Sequence, residues 1–324
     1  MPLLPDPPYL PPFWFRESHM NTAVPALFRR VTGMPPVRPE RVELHDGDFV
    51  DLHRLDRPES DRLMLALPGM GGFAIRPYMR GMLKHFYQND WNAVGLNYRG
   101  AAEHLNRKVS SYHMGSTEDV HEVLQYLVAQ RPWQTIVLVG FSMGGNLVLK
   151  YFGEGRTDIP AAVKTGVAFA VPSDIPATND QLNKGLNKLY VLHFIDLLYR
   201  KLRQKRHMHP DFNPPWLMPF DFKTFDDKYT GPLHGYRDAQ HYWSSVNAAQ
   251  FIPRLDRPVL LVNSRDDSFL PPAAYPVDLA NESAQLYFER TDYGGHCGFV
   301  TKKLSGPHPY WSEERALRWA MRYV

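Results

Sequence analysis

The segment Gly140-Phe141-Ser142-Met143-Gly144 constrains this chain more than any other five residues. An apolar run, Ile136-Val137-Leu138-Val139, leads into it, and a stretch of helical character, Asn146-Leu147-Val148-Leu149-Lys150-Tyr151, leads out. A serine with a glycine two positions to either side, at a strand-to-helix junction, has the form of a nucleophile elbow. The turn is so sharp that larger side chains at the glycine positions would clash. A helix starting directly behind the serine turns its free N–H groups and positive dipole end toward any oxyanion formed there. At ordinary glycine content the pentapeptide alone arises by chance in about one chain in ten of this length. Its setting between strand and helix is what gives it weight.

Strands and helices alternate around the motif, which predicts an α/β fold with a mainly parallel central sheet and helices on both faces. Residues 42–44 and 49–52 read as two strands joined around Asp46-Gly47. Strands are expected at Arg62–Leu67, Asn92–Asn97 and 136–139, then at Val167–Val171, 258–262 and 285–288. Tyr78–Asn89 reads as a helix. Another starts at Ser116, with the serine as N-cap and Asp119 in the reciprocal position. Behind it Val120, Val123, Leu124, Leu127 and Val128 form one apolar stripe. Trp311–Tyr323 reads as the last helix. Residues 173–250 interrupt the rhythm with a helix from about Leu186 to Arg206 and a Pro-Pro-Trp segment at 214–216. An insertion there predicts a helical cap, because active sites of open α/β sheets lie at the carboxyl ends of the strands. Residues 1–40 are proline-rich but carry Phe13, Trp14, Phe15, Leu27 and Phe28, so they are expected to wrap against the core rather than hang free. The whole chain, 1–324, reads as one domain.

Composition sets outer limits. The 324 residues are 44% hydrophobic and 22% charged, with a formal net charge of +3, so there is no electrostatic case for nucleic acid. A single cysteine, Cys297, rules out an internal disulfide. The prolines at positions 2, 5, 7 and 8 stand where a signal peptide needs a basic patch and an apolar helix. No apolar run reaches the roughly 18–20 residues of a membrane span. The expectation is a soluble, cytoplasmic protein without an integral membrane segment.

Serine needs a base to take its proton and a third group to orient that base. In the α/β-hydrolase arrangement these follow in the order Ser, Asp or Glu, His. Asp266-Asp267 falls on the loop after strand 258–262, and Gly294-Gly295-His296 after strand 285–288. His296, flanked by glycines, can be carried on an irregular loop back to Ser142. Asp267 heads Asp267-Ser268-Phe269-Leu270-Pro271 and fits an acid followed by mostly apolar residues and a proline. Asp266 fits one residue worse and reads as a neighbour bonding the loop. The oxyanion donors expected are the N–H groups of Met143 and Met70, the latter on the loop Leu67-Pro68-Gly69-Met70-Gly71-Gly72. No metal or organic cofactor is required.

Competing readings are weaker. Gly69-Met70-Gly71-Gly72-Phe73-Ala74 matches a dinucleotide fingerprint, but the ribose-binding acid is missing from the end of the next strand, where Asn97-Tyr98 stands. His193, His207 and His209 lack a supporting acid–histidine cluster for a metal. Arg200–Arg206 reads as a solvated basic helix face, with Leu197, Leu198 and Leu202 leaving room for a lipid surface. Cys297 reads as a packed small residue.

Several longer stretches carry a family likeness: Phe15–Thr22, Asp46–Phe49, Asn97-Tyr98-Arg99-Gly100, Tyr112–Asp119, Gly140–Asn146, Phe225-Asp226-Asp227, Pro232–Ala239 and Gly294–Phe299. Through them the chain resembles the YheT-like hydrolases, bacterial counterparts of the mammalian alpha/beta-hydrolase-domain proteins one to three. The resemblance implies the α/β-hydrolase fold and a serine carboxylic-ester hydrolase using Ser142, an aspartate at 266 or 267, and His296. It implies a small acyl ester as substrate, lipid esters included. Members of the family include esterases, acylglycerol lipases, phospholipases and alcohol acyltransferases, so the acceptor and the acyl length stay open, as does a non-catalytic ligand-binding role. Asn97–Gly100 and His113 read as architecture.

Overall fold

In the computed structural model, which describes residues 3–102, 104–214 and 217–324, eight strands form one sheet. They are β1 (Arg38–Glu43), β2 (Phe49–Leu55), β3 (Arg62–Leu67), β4 (Asn92–Asn97), β5 (Thr135–Phe141), β6 (Val163–Phe169), β7 (Val259–Ser264) and β8 (Leu286–Thr291). Their order is β1-β2-β4-β3-β5-β6-β7-β8. β2 pairs antiparallel with β1 and β4, and every other pairing is parallel. The expected mainly parallel sheet is therefore present.

The apolar runs of β4, β5 and β7 are buried along their whole length, as parallel strands covered on both faces must be. Period-two alternation divides β5 between two cores. Ile136 and Leu138 face the layer of α3 (Thr117–Gln130) and α4 (Met143–Gly153). Val137 and Val139 face that of α2 (Pro77–Gln88) and the helix Trp311–Ala320. The edge strand β1 is mostly exposed and carries Arg38, Glu40, Arg41 and Glu43, charges that discourage pairing with another chain.

Between β6 and β7 lie α5 (Ile175–Leu182), α6 (Asn187–Lys205), a π-helical turn at Asp226–Thr230 and the helix Ala239–Val246. Val191, Ile195, Tyr199, Leu202, Phe222 and Tyr229 there form a third apolar cluster, joined by Phe269 from the main sheet's loops. Pro215 and Trp216 of the expected Pro-Pro-Trp segment lie outside the described residues. Among the described residues no helix is long and apolar enough to cross a membrane.

Two expectations are corrected. Ser116 does not cap its helix with its side chain. Its Oγ accepts the His113 N–H at 3.0 Å, and Asp119 instead takes both ends of the Arg99 guanidinium at 2.8 and 2.6 Å. A buried guanidinium bound at two points outcompetes a single amide for the carboxylate. The basic run is not wholly solvated, because Lys205 is fully buried. Its Nζ donates to Asn106 Oδ1, to the Lys108 carbonyl and to the Ser110 carbonyl at 3.3 Å. Leu202 is buried too, and Leu197 is turned toward Gly71, so neither offers itself to a lipid surface. At the N-terminus, Leu4 bonds the Phe288 carbonyl at 2.8 Å and Tyr9 that of Val300 at 2.8 Å. Yet Phe13, Trp14, Leu27 and Phe28 are 63–73% exposed. The segment packs through Leu4, Tyr9 and the half-buried Phe15 rather than through these four side chains.

Candidate active site

Ser142 sits between β5 and α4 with φ 53° and ψ −113°, a left-handed backbone that costs a non-glycine residue about 1–3 kcal/mol. Close packing on both sides holds it there. A Cβ at Gly144 would be driven into the Leu67 carbonyl, and one at Gly140 into that of Gly144. Asn146, one turn into α4, anchors the helix start. Its amide donates to the Met114 and Val246 carbonyls at 2.9 and 3.0 Å, and its oxygen accepts the Ala248 N–H at 3.0 Å.

The loop after β3 lies over the serine, with the Cβ direction of Gly69 pointing to Ser142 Cβ at 3.4 Å. Three tyrosyl hydroxyls hold it. Tyr78 accepts the Gly69 N–H at 3.0 Å, Tyr112 accepts the Gly71 N–H at 2.9 Å, and Tyr98 donates to the Pro68 carbonyl at 3.0 Å. Burial pushes all three phenols above their ordinary pKa, so they remain neutral hydroxyls. Gly72 is obligatory in this arrangement because a Cβ there would strike the Tyr78 oxygen. Among the described residues, the amides of Met70 and Met143 donate to no protein acceptor. The Gly69 and Gly71 amides, which a dinucleotide phosphate would need, are already engaged.

His296 Nε2 stands 2.9 Å from Ser142 Oγ, and its Nδ1 2.8 Å from Asp267 Oδ2. The other Asp267 oxygen accepts the Phe269 N–H at 2.9 Å. The carboxylate thus sets the tautomer: Nδ1 carries the proton and Nε2 is free to accept the serine's. Burial pulls the imidazole pKa down, but the Asp267 charge, with a smaller contribution from Cys297, outweighs it and holds His296 well above its ordinary value. The ring stacks on Phe269 at 4.2 Å between centroids. Asp266 turns the other way and accepts the Gly295 N–H at 2.9 Å. Cys297 lies half-buried beside the histidine.

Sequence reasoning missed the part played by α1 (Ser18–Phe28). Thr22 Oγ1 accepts the His296 N–H at 2.8 Å, and Gly295 and Gly298 approach Ser18, Asn21 and Thr22 so closely that neither tolerates a Cβ. The available signal was the family-like stretch Phe15–Thr22. It also missed the parts of Tyr78 and Tyr112, whereas Tyr98 lies in the stretch read as architecture. Among the described residues no group of three or more His, Cys, Asp or Glu side chains could hold a metal ion, and His209 bonds the Arg107 carbonyl at 2.7 Å.

Known proteins share sequence and fold with this chain. YheT of Escherichia coli (strain K12) is 29% identical over 323 residues, covering 98% of this chain and 94% of that protein. Human phospholipase ABHD3 is 27% identical over 305 residues, covering 90% and 73%. Human monoacylglycerol lipase ABHD2 is 22% identical over 336 residues, covering 96% and 79%. Among solved structures, the Pyrococcus furiosus esterase Pf2001 shares the fold with a TM-score of 0.53 at 15% identity, covering 91% of this chain and 93% of that one. The model for the alpha/beta hydrolase fold matches residues 62–303, a span running from β3 past His296. The chain belongs to the alpha/beta hydrolase fold family.

Proposed function

We propose that this protein hydrolyses carboxylic esters through an acyl-enzyme on Ser142. The observation carrying the reading is the unbroken relay from Ser142 Oγ through His296 to Asp267, at 2.9 and 2.8 Å, behind a strained elbow. Ser142 Oγ attacks the ester carbonyl as Nε2 takes its proton. The imidazolium, steadied by Asp267, then gives that proton to the departing alcohol. Water repeats the sequence on the acyl-enzyme and releases the acid. The Met70 and Met143 amides stabilise the tetrahedral oxyanion, each donor contributing about 10²–10³ in kcat. The phospholipase and lipase names of the relatives support an ester of lipid type, and the helices between β6 and β7 serve as a cap that shapes the acyl pocket.

The test is hydrolysis of p-nitrophenyl esters of increasing acyl length by wild type and Ser142→Ala, with fluorophosphonate labelling alongside. Wild type turns over and is labelled at Ser142, while the variant folds normally and stays at background. A variant retaining most of its turnover would sink the assignment.

A further inference from the structure

Helix α1 is built inside out. A surface helix ordinarily turns its apolar side to the core and its polar side to water. Here the inward side is polar and grips the loops that carry Asp267 and His296. Ser18 Oγ accepts the Ser268 N–H at 3.1 Å, Thr22 Oγ1 that of His296 at 2.8 Å, and Asn21 Oδ1 that of Val300 at 3.4 Å. At three- and four-residue spacing, Met20, Ala23, Val24, Leu27 and Phe28 form the stripe on the other side. Met20, Leu27 and Phe28 are 39%, 71% and 63% exposed, and Ala23 and Val24 are half-buried. Just ahead of the helix, Phe13 and Trp14 meet edge to face at 5.5 Å between centroids and stand 71% and 73% exposed.

Cations bracket this stripe. Arg16 is exposed before α1 and Arg30 after it. Lys302 and Lys303 are exposed in the segment tied to the helix end, where Ser305 Oγ accepts the Arg30 N–H at 2.7 Å and the Gly306 N–H donates to the Arg30 carbonyl at 3.4 Å. Arg16 Nε donates to the Pro11 carbonyl at 3.4 Å. Among the described residues no acid pairs with any of these four side chains. Glu17 is an acid at the amino end, and its oxygens accept the His19 and Met20 N–H groups at 3.1 and 2.7 Å.

Large apolar side chains standing in water are unfavourable until covered, and cations beside them favour a cover of negative charge. A second copy of this chain does not supply one. With two α1 stripes face to face, Arg16 meets Arg16 or Arg30, whichever way the helices run. A nucleic acid supplies the charge but leaves Trp14, Leu27 and Phe28 in water. An anionic bilayer supplies both, with phosphate at the level of the guanidinium and ammonium groups and hydrocarbon beneath it. We propose that the outer face of α1, with Phe13 and Trp14, docks on an anionic lipid bilayer. Docking brings the loops of Asp267 and His296, gripped by the inner side of α1, within one helix diameter of the lipid, about 10 Å. The binding claim stands apart from the ester reading, since vesicle recruitment is measured without turnover.

The test is co-sedimentation of the full chain with vesicles of phosphatidylcholine alone or with about a third phosphatidylglycerol. Wild type should favour the anionic vesicles and be released by high salt. Each surface cation contributes about fivefold to partition, so Arg16→Gln/Arg30→Gln should lose about twenty-fivefold. Leu27→Ser/Phe28→Ser should lose about tenfold or more while keeping its release by salt. Both variants should unfold at the wild-type temperature, a check that holds whether or not the ester reading does. Equal partition onto both kinds of vesicle, or wild-type partition by either variant, overturns the proposal. So does a dimer in sedimentation velocity that Leu27→Ser/Phe28→Ser dissolves while neither vesicle recruits wild type, which would make the face a contact between copies.

Discussion

Tyr78→Phe isolates one hydroxyl of the loop that carries Met70. The ring remains: it packs edge-on against Phe141, 4.9 Å between centroids, and phenylalanine keeps that contact. What disappears is the acceptor for the Gly69 N–H, 3.0 Å away on a buried residue. Leaving that donor unpaired costs about 1–3 kcal/mol. The loop can escape part of the cost by rotating the Gly69 peptide, and that rotation turns the Met70 amide, one residue on, away from the oxyanion. Complete loss of an oxyanion donor costs about 2.7–4 kcal/mol, which bounds the effect from above. The expectation is a fall in kcat of about ten- to a hundredfold with KM nearly unchanged, because the donor acts on the transition state and not on the bound ester. A trifluoromethyl ketone, whose adduct carries the oxyanion, should lose affinity in the same proportion. Steady-state kinetics and inhibitor titration read both, and thermal unfolding monitors the fold. A variant within twofold of wild type in kcat, or one that loses stability without losing kcat, refutes the reasoning.

Asp267→Asn should lower kcat about 10⁴-fold, the magnitude for a base left in the wrong tautomer. Asp266→Asn, which loosens the Gly295 amide and leaves the imidazole's partner in place, should cost less than tenfold, and equal losses at the two positions would overturn the assignment. The pH profile carries its own sign. Asp267 raises the His296 pKa, so the imidazole keeps its proton to higher pH, where it cannot accept from serine. The kcat/KM of wild type should therefore rise with pH to a midpoint above 6.5. In Asp267→Asn the raising charge is gone and burial dominates, so the residual activity should titrate below that value. A midpoint that does not move would separate His296 from the observed titration. Gly144→Ala forces a methyl into the Leu67 carbonyl, and overpacking against backbone should cost about 3 kcal/mol or more. Urea unfolding at wild-type stability would show that β3 and α4 approach less closely than described.

The extent to which this fold and site could be read from sequence follows from where each residue finds its partner. Strands such as 62–67 and 92–97 are legible because burial on both faces makes them continuous apolar runs. Their order across the sheet is not, since pairing joins residues far apart in the chain. Ser142 and His296 are legible because elbow and loop need glycines at fixed offsets. The two aspartates are not separable by spacing, and one peptide's orientation sends Asp266 to Gly295 and Asp267 to the imidazole. Local rules fail where a polar side chain is buried. Asp119 satisfies the rule for a capping box yet pairs with Arg99, and Lys205 sits in a basic run yet bonds carbonyls at 108 and 110. A buried polar group must take a partner wherever the fold supplies one, and offsets of three or four residues say nothing about that place. The same logic identifies where to look. Asn97–Gly100, Tyr112–Gly115 and Phe15–Thr22 carry family likeness without a reactive group, and each is a tie point. Asn97 accepts the Ala74 amide, Tyr98 and Tyr112 clamp the Pro68–Gly71 loop, Arg99 takes Asp119, and Thr22 steadies His296. Motif residues that lack chemistry of their own are, in this chain, the supports that set the distances on which the proposed chemistry depends.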